Sequence, residues 1–130
     1  MILLADIGAT NARFSVTNEG SQYEYSEILE VAGCVSLEKL CMDYLNKYQL
    51  ANKVNKAVIG VPAPIIDDEV SFVNANISFS IKDLKKKLFK GGLIVVNDLA
   101  LQAHAIKDLE RSEVSFIGLN KQQVNGPKIL

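Results

Sequence analysis

The hydrophobic period of this chain first changes at Ser36, from strand to helix, and that change restricts it to a mixed α/β fold. Before Ser36 the apolar residues come in short runs or alternate; after it they recur at helical spacing and are then interrupted by further short runs. Residues 2–5 form an apolar run of the kind that a sheet buries on both faces. The stretch Asp6-Ile7-Gly8-Ala9-Thr10-Asn11 turns the chain, and residues 13–17 alternate as a second strand. Residues 18–21 make another turn, and residues 23–31 carry enough aromatic and β-branched side chains for a third strand. An antiparallel meander of three strands is therefore expected to open the sheet.

Leu37, Leu40, Cys41, Tyr44, Leu45 and Tyr48 then fall on one helical face, with Ser36 placed to cap it and Glu38 in its first turn. Residues 56–61 read as a buried strand. It stops at Pro62-Ala63-Pro64, where proline lacks the amide that a ladder needs. Asp67-Asp68 turns the chain into a short strand at 70–73. Ser80-Ile81-Lys82-Asp83 fits an S-x-x-D cap for a second helix, whose Ile81, Leu84 and Leu88 share a face until Gly91-Gly92. Lys85, Lys86 and Lys87 ride on that helix and, being consecutive, point in three directions, as on a solvated surface. Residues 93–96 predict another buried strand, and Leu99, Ala103 and Ile106 a third helix. A strand at 114–119, a polar loop at 120–127 and the opening of a further strand at 128–130 follow. A strand that has only begun suggests a piece of a longer protein.

With 48% apolar and 22% charged residues in a length of 130, one real core is expected. A formal net charge of −1 offers no basic footprint for nucleic acid and no polybasic segment for anionic lipid, so neither is an expected partner. The opening residues meet Asp6 at once and carry no basic leader, and the longer apolar stretches are broken by Gly, Pro or charge. A cytoplasmic location is the expectation. Cys34 and Cys41 are too far apart for a C-x-x-C pair and cannot complete a zinc site with the single His104. They read as reduced thiols in the core.

Two strand ends gather polar residues where the sheet gives up its backbone groups. At Asp6-x-Gly8-Ala9-Thr10-Asn11, Gly8 can take a positive φ, the small residues let a phosphate approach backbone amides, and Asp6 could hold Mg²⁺ directly or through water. A plain hairpin uses the same residues. At Val95-Val96-Asn97-Asp98 a buried strand delivers an amide and a carboxylate at its carboxyl end, the edge at which open α/β sheets bind ligands. Asp98 could accept a proton from a hydroxyl while Asn97 holds a second one; taken alone, Asp98 reads as the N-cap of the next helix. Walker A, G-x-G-x-x-G, H-E-x-x-H and G-x-S-x-G patterns do not occur.

Four blocks, in order, carry a resemblance over essentially the whole chain. They are residues 3–13, Val61-Pro62-Ala63-Pro64, Asn74-Ala75-Asn76-Ile77-Ser78-Phe79-Ser80-Ile81 and Val95-Val96-Asn97-Asp98. Together they resemble the N-terminal part of the bacterial glucokinase family, in the actin/sugar-kinase/Hsp70 superfamily. The resemblance implies a ribonuclease H-like small domain over residues 1–108, with a mixed sheet that opens on three antiparallel strands and continues with parallel strands flanked by helices. Residues 109–130 would then begin a larger second domain. It also implies ATP-dependent phosphorylation of glucose in the full-length protein, with ATP and Mg²⁺ as the substrate complex. Gly8, Ala9, Thr10, Asn11 and Ala12 correspond to the phosphate-binding hairpin and Asp6 to the residue near Mg²⁺. Asn97 and Asn74 correspond to sugar ligands, and Asp98 to the catalytic base for the glucose 6-hydroxyl. The family's turn usually reads Gly-Gly-Thr, whereas Ala9 stands here. In the family a final helix returns to this first domain, so an apolar patch inviting self-association, or a homodimer, is expected of the piece. Repressor-type relatives that use a similar body as a sugar sensor are the alternative. Those carry a DNA-binding segment ahead of the first strand, whereas Met1-Ile2-Leu3 opens directly on it.

Overall fold

The computed structural model describes residues 1–18, 22–73, 77–113 and 115. Strands β1 (Ile2–Ile7), β2 (Asn11–Thr17) and β3 (Tyr23–Glu30) form the expected meander, and β4 (Lys56–Val61) and β8 (Gly92–Asn97) complete a sheet of order β3-β2-β1-β4-β8. β1 pairs antiparallel with β2 and parallel with β4, and β4 parallel with β8, so the sheet is mixed as the resemblance implies. Residues 114 and 116–130, where a strand, a loop and the opening of a further strand are expected, lie outside the described residues, as do residues 74–76 of the Asn74 block; its residues 77–81 are described.

Alternation sorts the strands into two faces. Leu3, Ala5 and Ile7 of β1, Ala12, Phe14 and Val16 of β2, and Ala57, Ile59 and Val61 of β4 are buried on one of them. Helix α1 (Leu37–Lys47) contributes Leu37, Leu40, Cys41, Tyr44 and Leu45 to the same core, and Tyr44 stacks on Phe14 with ring centroids 4.9 Å apart. Ser36 caps this helix by accepting from the Lys39 amide at 3.1 Å. Burial pushes the Cys41 thiol up to about 12, which fits a packing role rather than a reactive one.

Between β4 and β8 stands a second sheet that periodicity did not reveal. It joins β5 (Ile65–Ile66), β6 (Glu69–Ser71) and β7 (Ser78–Ser80) antiparallel. Asp67, at φ 54°, turns β5 into β6. Helix α2 (Ile81–Lys87) follows, capped as expected by Ser80, which accepts from the Asp83 amide at 3.1 Å. The consecutive lysines divide by partner: Lys87 pairs with Glu38 at 2.6 Å, while Lys85 and Lys86 line a shallow surface depression with Lys82 and Lys90.

Among the described residues the other face of the main sheet is open. Leu4, Asp6, Arg13, Ile28 and Val58 line a trough of about 640 Å³ there, and Ile28 and Ile94 are 63% and 58% exposed. This is the apolar patch that the resemblance predicts. Helix α3 (Asp98–Ala105) crosses that face, and its Leu101 forms part of the trough wall. Two 3-10 turns, Ile106–Asp108 and Arg111–Glu113, come after it. No helix among the described residues is long and apolar enough to cross a membrane.

Candidate active site at the carboxyl edge of the sheet

Parallel pairing brings the two polar strand ends to one edge. Asp6 stands opposite Gly60, Gly60 opposite Val96, and Val61 opposite Asn97. The chain therefore leaves β1 at Gly8 and β8 at Asp98 in neighbouring rows of the same rim, two strand spacings or roughly 10 Å apart.

The turn from β1 to β2 is a tight hairpin, closed by the Gly8 amide donating to Asn11 O at 2.8 Å. Gly8 is needed for space rather than for an unusual φ. Its backbone is not in the positive-φ region, but a β-carbon there would come within 2.9 Å of Asn11 O. Ala9 likewise avoids positive φ, and its methyl faces solvent, so alanine costs the turn no strain. Thr10 O accepts from the Val31 amide at 2.8 Å, which anchors the hairpin to the chain beyond β3. Among the described residues the amides of Ala9 and Thr10 have no hydrogen-bond partner. Exposed, unpaired amides in a turn of small residues are the chemistry that receives a phosphate. Ala12 lies below the turn, fully buried, and Asn11 is exposed at its shoulder.

Asp6 projects from the open face, opposite Arg13 in the β1–β2 register, and the two pair at 3.1 Å with side chains 51% and 64% exposed. An ion pair so open to water is worth about 1 kcal/mol or less, so it yields readily to a competing cation. Among the described residues no group of three or more His, Cys, Asp or Glu could cage a metal. A single exposed carboxylate would suit Mg²⁺ that keeps most of its waters.

At the second strand end the cap is Asn97, not Asp98. Asn97 keeps extended dihedrals (φ −63°, ψ 140°) and its Oδ1 accepts from the Leu99 amide at 3.1 Å, so the helix begins one residue later. Asp98 is thereby the first helical residue; its Oδ1 accepts from the same amide at 2.8 Å, and among the described residues Oδ2 has no partner. The Asn97 Nδ2 donates to Ala63 O at 3.2 Å, which ties α3 to the Pro62-Ala63-Pro64 loop. Each end of the Asn97 amide retains one more hydrogen-bonding valence for a ligand. Asn74 lies outside the described residues. Sequence reasoning missed Arg13, Ala63 and Gly60 as neighbours of the site. A lone glycine inside the apolar run of β4 was the available signal, because such a glycine marks a close approach.

The comparisons with known proteins bear on the family and the fold. A family model described as Glucokinase matches residues 3–130. The chain belongs to the glucokinase family. It is 36% identical over 128 residues to a glucokinase of Helicobacter acinonychis (strain Sheeba), covering 97% of this chain and 38% of that protein. With a glucokinase of Nitrobacter hamburgensis it shares 34% identity over 127 residues, 96% of this chain and 39% of the other. The crystal structure of a glucokinase from an Antarctic psychrotroph superposes with a TM-score of 0.78 at 30% identity, over 95% of this chain and 40% of that one. A glucokinase of Leishmania braziliensis shares the fold alone, with a TM-score of 0.51 at 22% identity over 80% of this chain and 31% of that one. The chain thus spans well under half the length of the glucokinases it matches.

Proposed function

We propose that the whole protein transfers the terminal phosphoryl group of ATP to the 6-hydroxyl of glucose, and that this chain carries the phosphate hairpin and the base. The observation that carries this reading is the shared rim: unpaired amides at residues 9 and 10, and a carboxylate at 98, two strands apart on one edge. Phosphoryl transfer depends on in-line placement and charge neutralisation more than on covalent help from the protein. The hairpin amides hold phosphate oxygens. Asn97 holds a sugar hydroxyl with its remaining valences and keeps Asp98 at the helix start. Asp98 accepts the 6-hydroxyl proton at Oδ2 as that oxygen bonds to phosphorus. When bound beside Asp6, Mg²⁺ would neutralise phosphate charge. Asn74 is proposed as a further sugar ligand, and residues 1–108 as the small domain of a two-domain kinase.

The rest of the family's length is expected to supply the adenosine pocket, further sugar ligands and a cover for the open face of the sheet. The test is a coupled glucose 6-phosphate assay. The full-length protein is expected to turn over glucose with ATP and Mg²⁺, and the 130-residue chain alone to show no turnover. Glucose binding by the full-length protein without phosphorylation would favour the sugar-sensing alternative.

Gly8→Ala probes the hairpin by itself. Its β-carbon meets Asn11 O, which accepts the Gly8 amide, so the closing hydrogen bond must lengthen. Losing it costs about 1–2 kcal/mol, and KM for ATP in the full-length protein is expected to rise about tenfold with KM for glucose unchanged. An equal rise in both constants would show that the hairpin supports the fold rather than the nucleotide.

A further inference from the structure

Gly60 sits in β4 directly between Asp6 of β1 and Val96 of β8, one row inside the rim where both strand ends leave the sheet. A β-carbon at Gly60 would stand 2.4 Å from Leu101 Cδ1, 3.7 Å from Ala5 O and 3.8 Å from Asp6 Oδ1. Carbon atoms in contact lie about 3.5–4.0 Å apart, so the Leu101 methyl already occupies the volume that any side chain at position 60 would need. Leu101 is three residues beyond Asp98, on the first turn of α3.

Among the described residues little buries that helix. None of its residues is buried, and Leu99 is 57% exposed. Its start is tied by Asn97, through the Leu99 amide and Ala63 O. Over β4, Leu101 comes close enough to Gly60 to fill the place of a β-carbon there.

We infer that Gly60 and Leu101 are a positioning pair, a notch and the side chain that fills it, which together set the height of α3 over the sheet and so the placement of Asp98 against the phosphate hairpin. The inference rests on the reading of Asp98 as the base. Neither residue performs chemistry; both act through Asp98. Misplacing a reacting group by about 1 Å costs on the order of 10²-fold in rate, and a β-carbon at position 60 requires a displacement of that size unless Leu101 rotates away into the trough.

The experiment is a double-mutant cycle in the full-length protein. Gly60→Ala is expected to lower kcat by about 10–10²-fold, the lower figure if Leu101 gives part of the way, with KM for glucose and ATP within about twofold, since the substrates are held elsewhere. Adding Leu101→Ala empties the space that the new methyl needs and is expected to restore most of kcat, although Leu101→Ala alone lowers it. Because truncating Leu101 would also relieve a clash that acted only on stability, kcat is read well below the unfolding temperature of all four proteins, where a loss of stability alone leaves kcat per folded molecule unchanged. Unchanged kcat in Gly60→Ala, or no recovery in the double variant, overturns the pairing. Amide exchange of residues 98–105 is read in the same four proteins. If the unaltered protein phosphorylates no glucose, the base reading is what has failed. The seat is then judged by exchange alone: faster exchange in Gly60→Ala that the double variant reverses supports it, and exchange that is unaltered or not reversed overturns it.

Discussion

In the full-length protein, Asp98→Asn is expected to lower kcat for glucose by about 10²–10⁴-fold while KM for glucose moves by less than about threefold. The substitution is nearly isosteric and keeps an oxygen where Asp98 Oδ1 accepts from the Leu99 amide at 2.8 Å. The start of α3 is also secured by Asn97, which caps it and binds Ala63 O. What is lost is the free valence at Oδ2, an amide being no acceptor for the 6-hydroxyl proton. Asp98→Ala removes the Leu99 contact as well, so a larger loss accompanied by lowered thermal stability is expected of it. Steady-state kinetics of the two variants separate the roles. If Asp98→Asn retains turnover, the carboxylate serves only the helix start.

The legible parts of the fold were those that local chemistry decides. Ser36 and Ser80 cap the helices they precede because a hydroxyl there satisfies an amide two or three residues on, whatever the tertiary context. The meander followed from a tight turn at residues 8–10 and from alternation in β2. Three features needed coordinates. β5 and β7 have two or three residues each, too few for any period to show, and β6 is expected from sequence only as a lone short strand at 70–73, not as the middle of a second sheet. Asn97 and Asp98 are both good caps in adjacent positions, and only the point at which the backbone leaves the extended region selects Asn97. At Gly8 both a positive φ and a steric notch call for glycine, and the structure shows the notch.

The site reads the same way. Asp6 and the Asn97-Asp98 pair stood out as polar residues ending apolar runs, but nothing in their spacing placed them on one rim. That came from the parallel pairing of β1, β4 and β8, which is long-range. The resemblance supplied it in advance because it carries the family's topology along with its motifs. Where this chain's own packing decides the matter, as in Leu101 seated on Gly60, no motif announced it.

Tyr44→Ala is expected to be the most damaging single change to stability, lowering the unfolding free energy by about 3–5 kcal/mol. Tyr44 is fully buried, stacks on Phe14 at 20° between planes, and meets the edge of Tyr48 with centroids 5.2 Å apart. Its hydroxyl donates to Tyr25 O at 2.9 Å, and burial pushes that hydroxyl's pKa up to about 12, so it remains a donor across the neutral range. Tyr25 itself has φ 55° in β3, within the segment where the pairing with β2 shifts register between Phe14 and Val16. A non-glycine residue held there costs about 1–3 kcal/mol that its surroundings must offset, and the Tyr44 hydroxyl is one of the groups that do so. Tyr44→Phe therefore isolates the hydrogen bond, with an expected loss of about 1–2 kcal/mol, while Tyr44→Ala removes the ring as well. Urea unfolding of both variants measures the difference. If the two losses are equal, the ring contributes nothing and the core is held elsewhere. If Tyr44→Phe is neutral, the bulge at Tyr25 is stable without its donor. A gap of about 2 kcal/mol or more places the main stabilisation in the aromatic stack that joins α1 to β2, the strand that leaves the tight turn at Gly8.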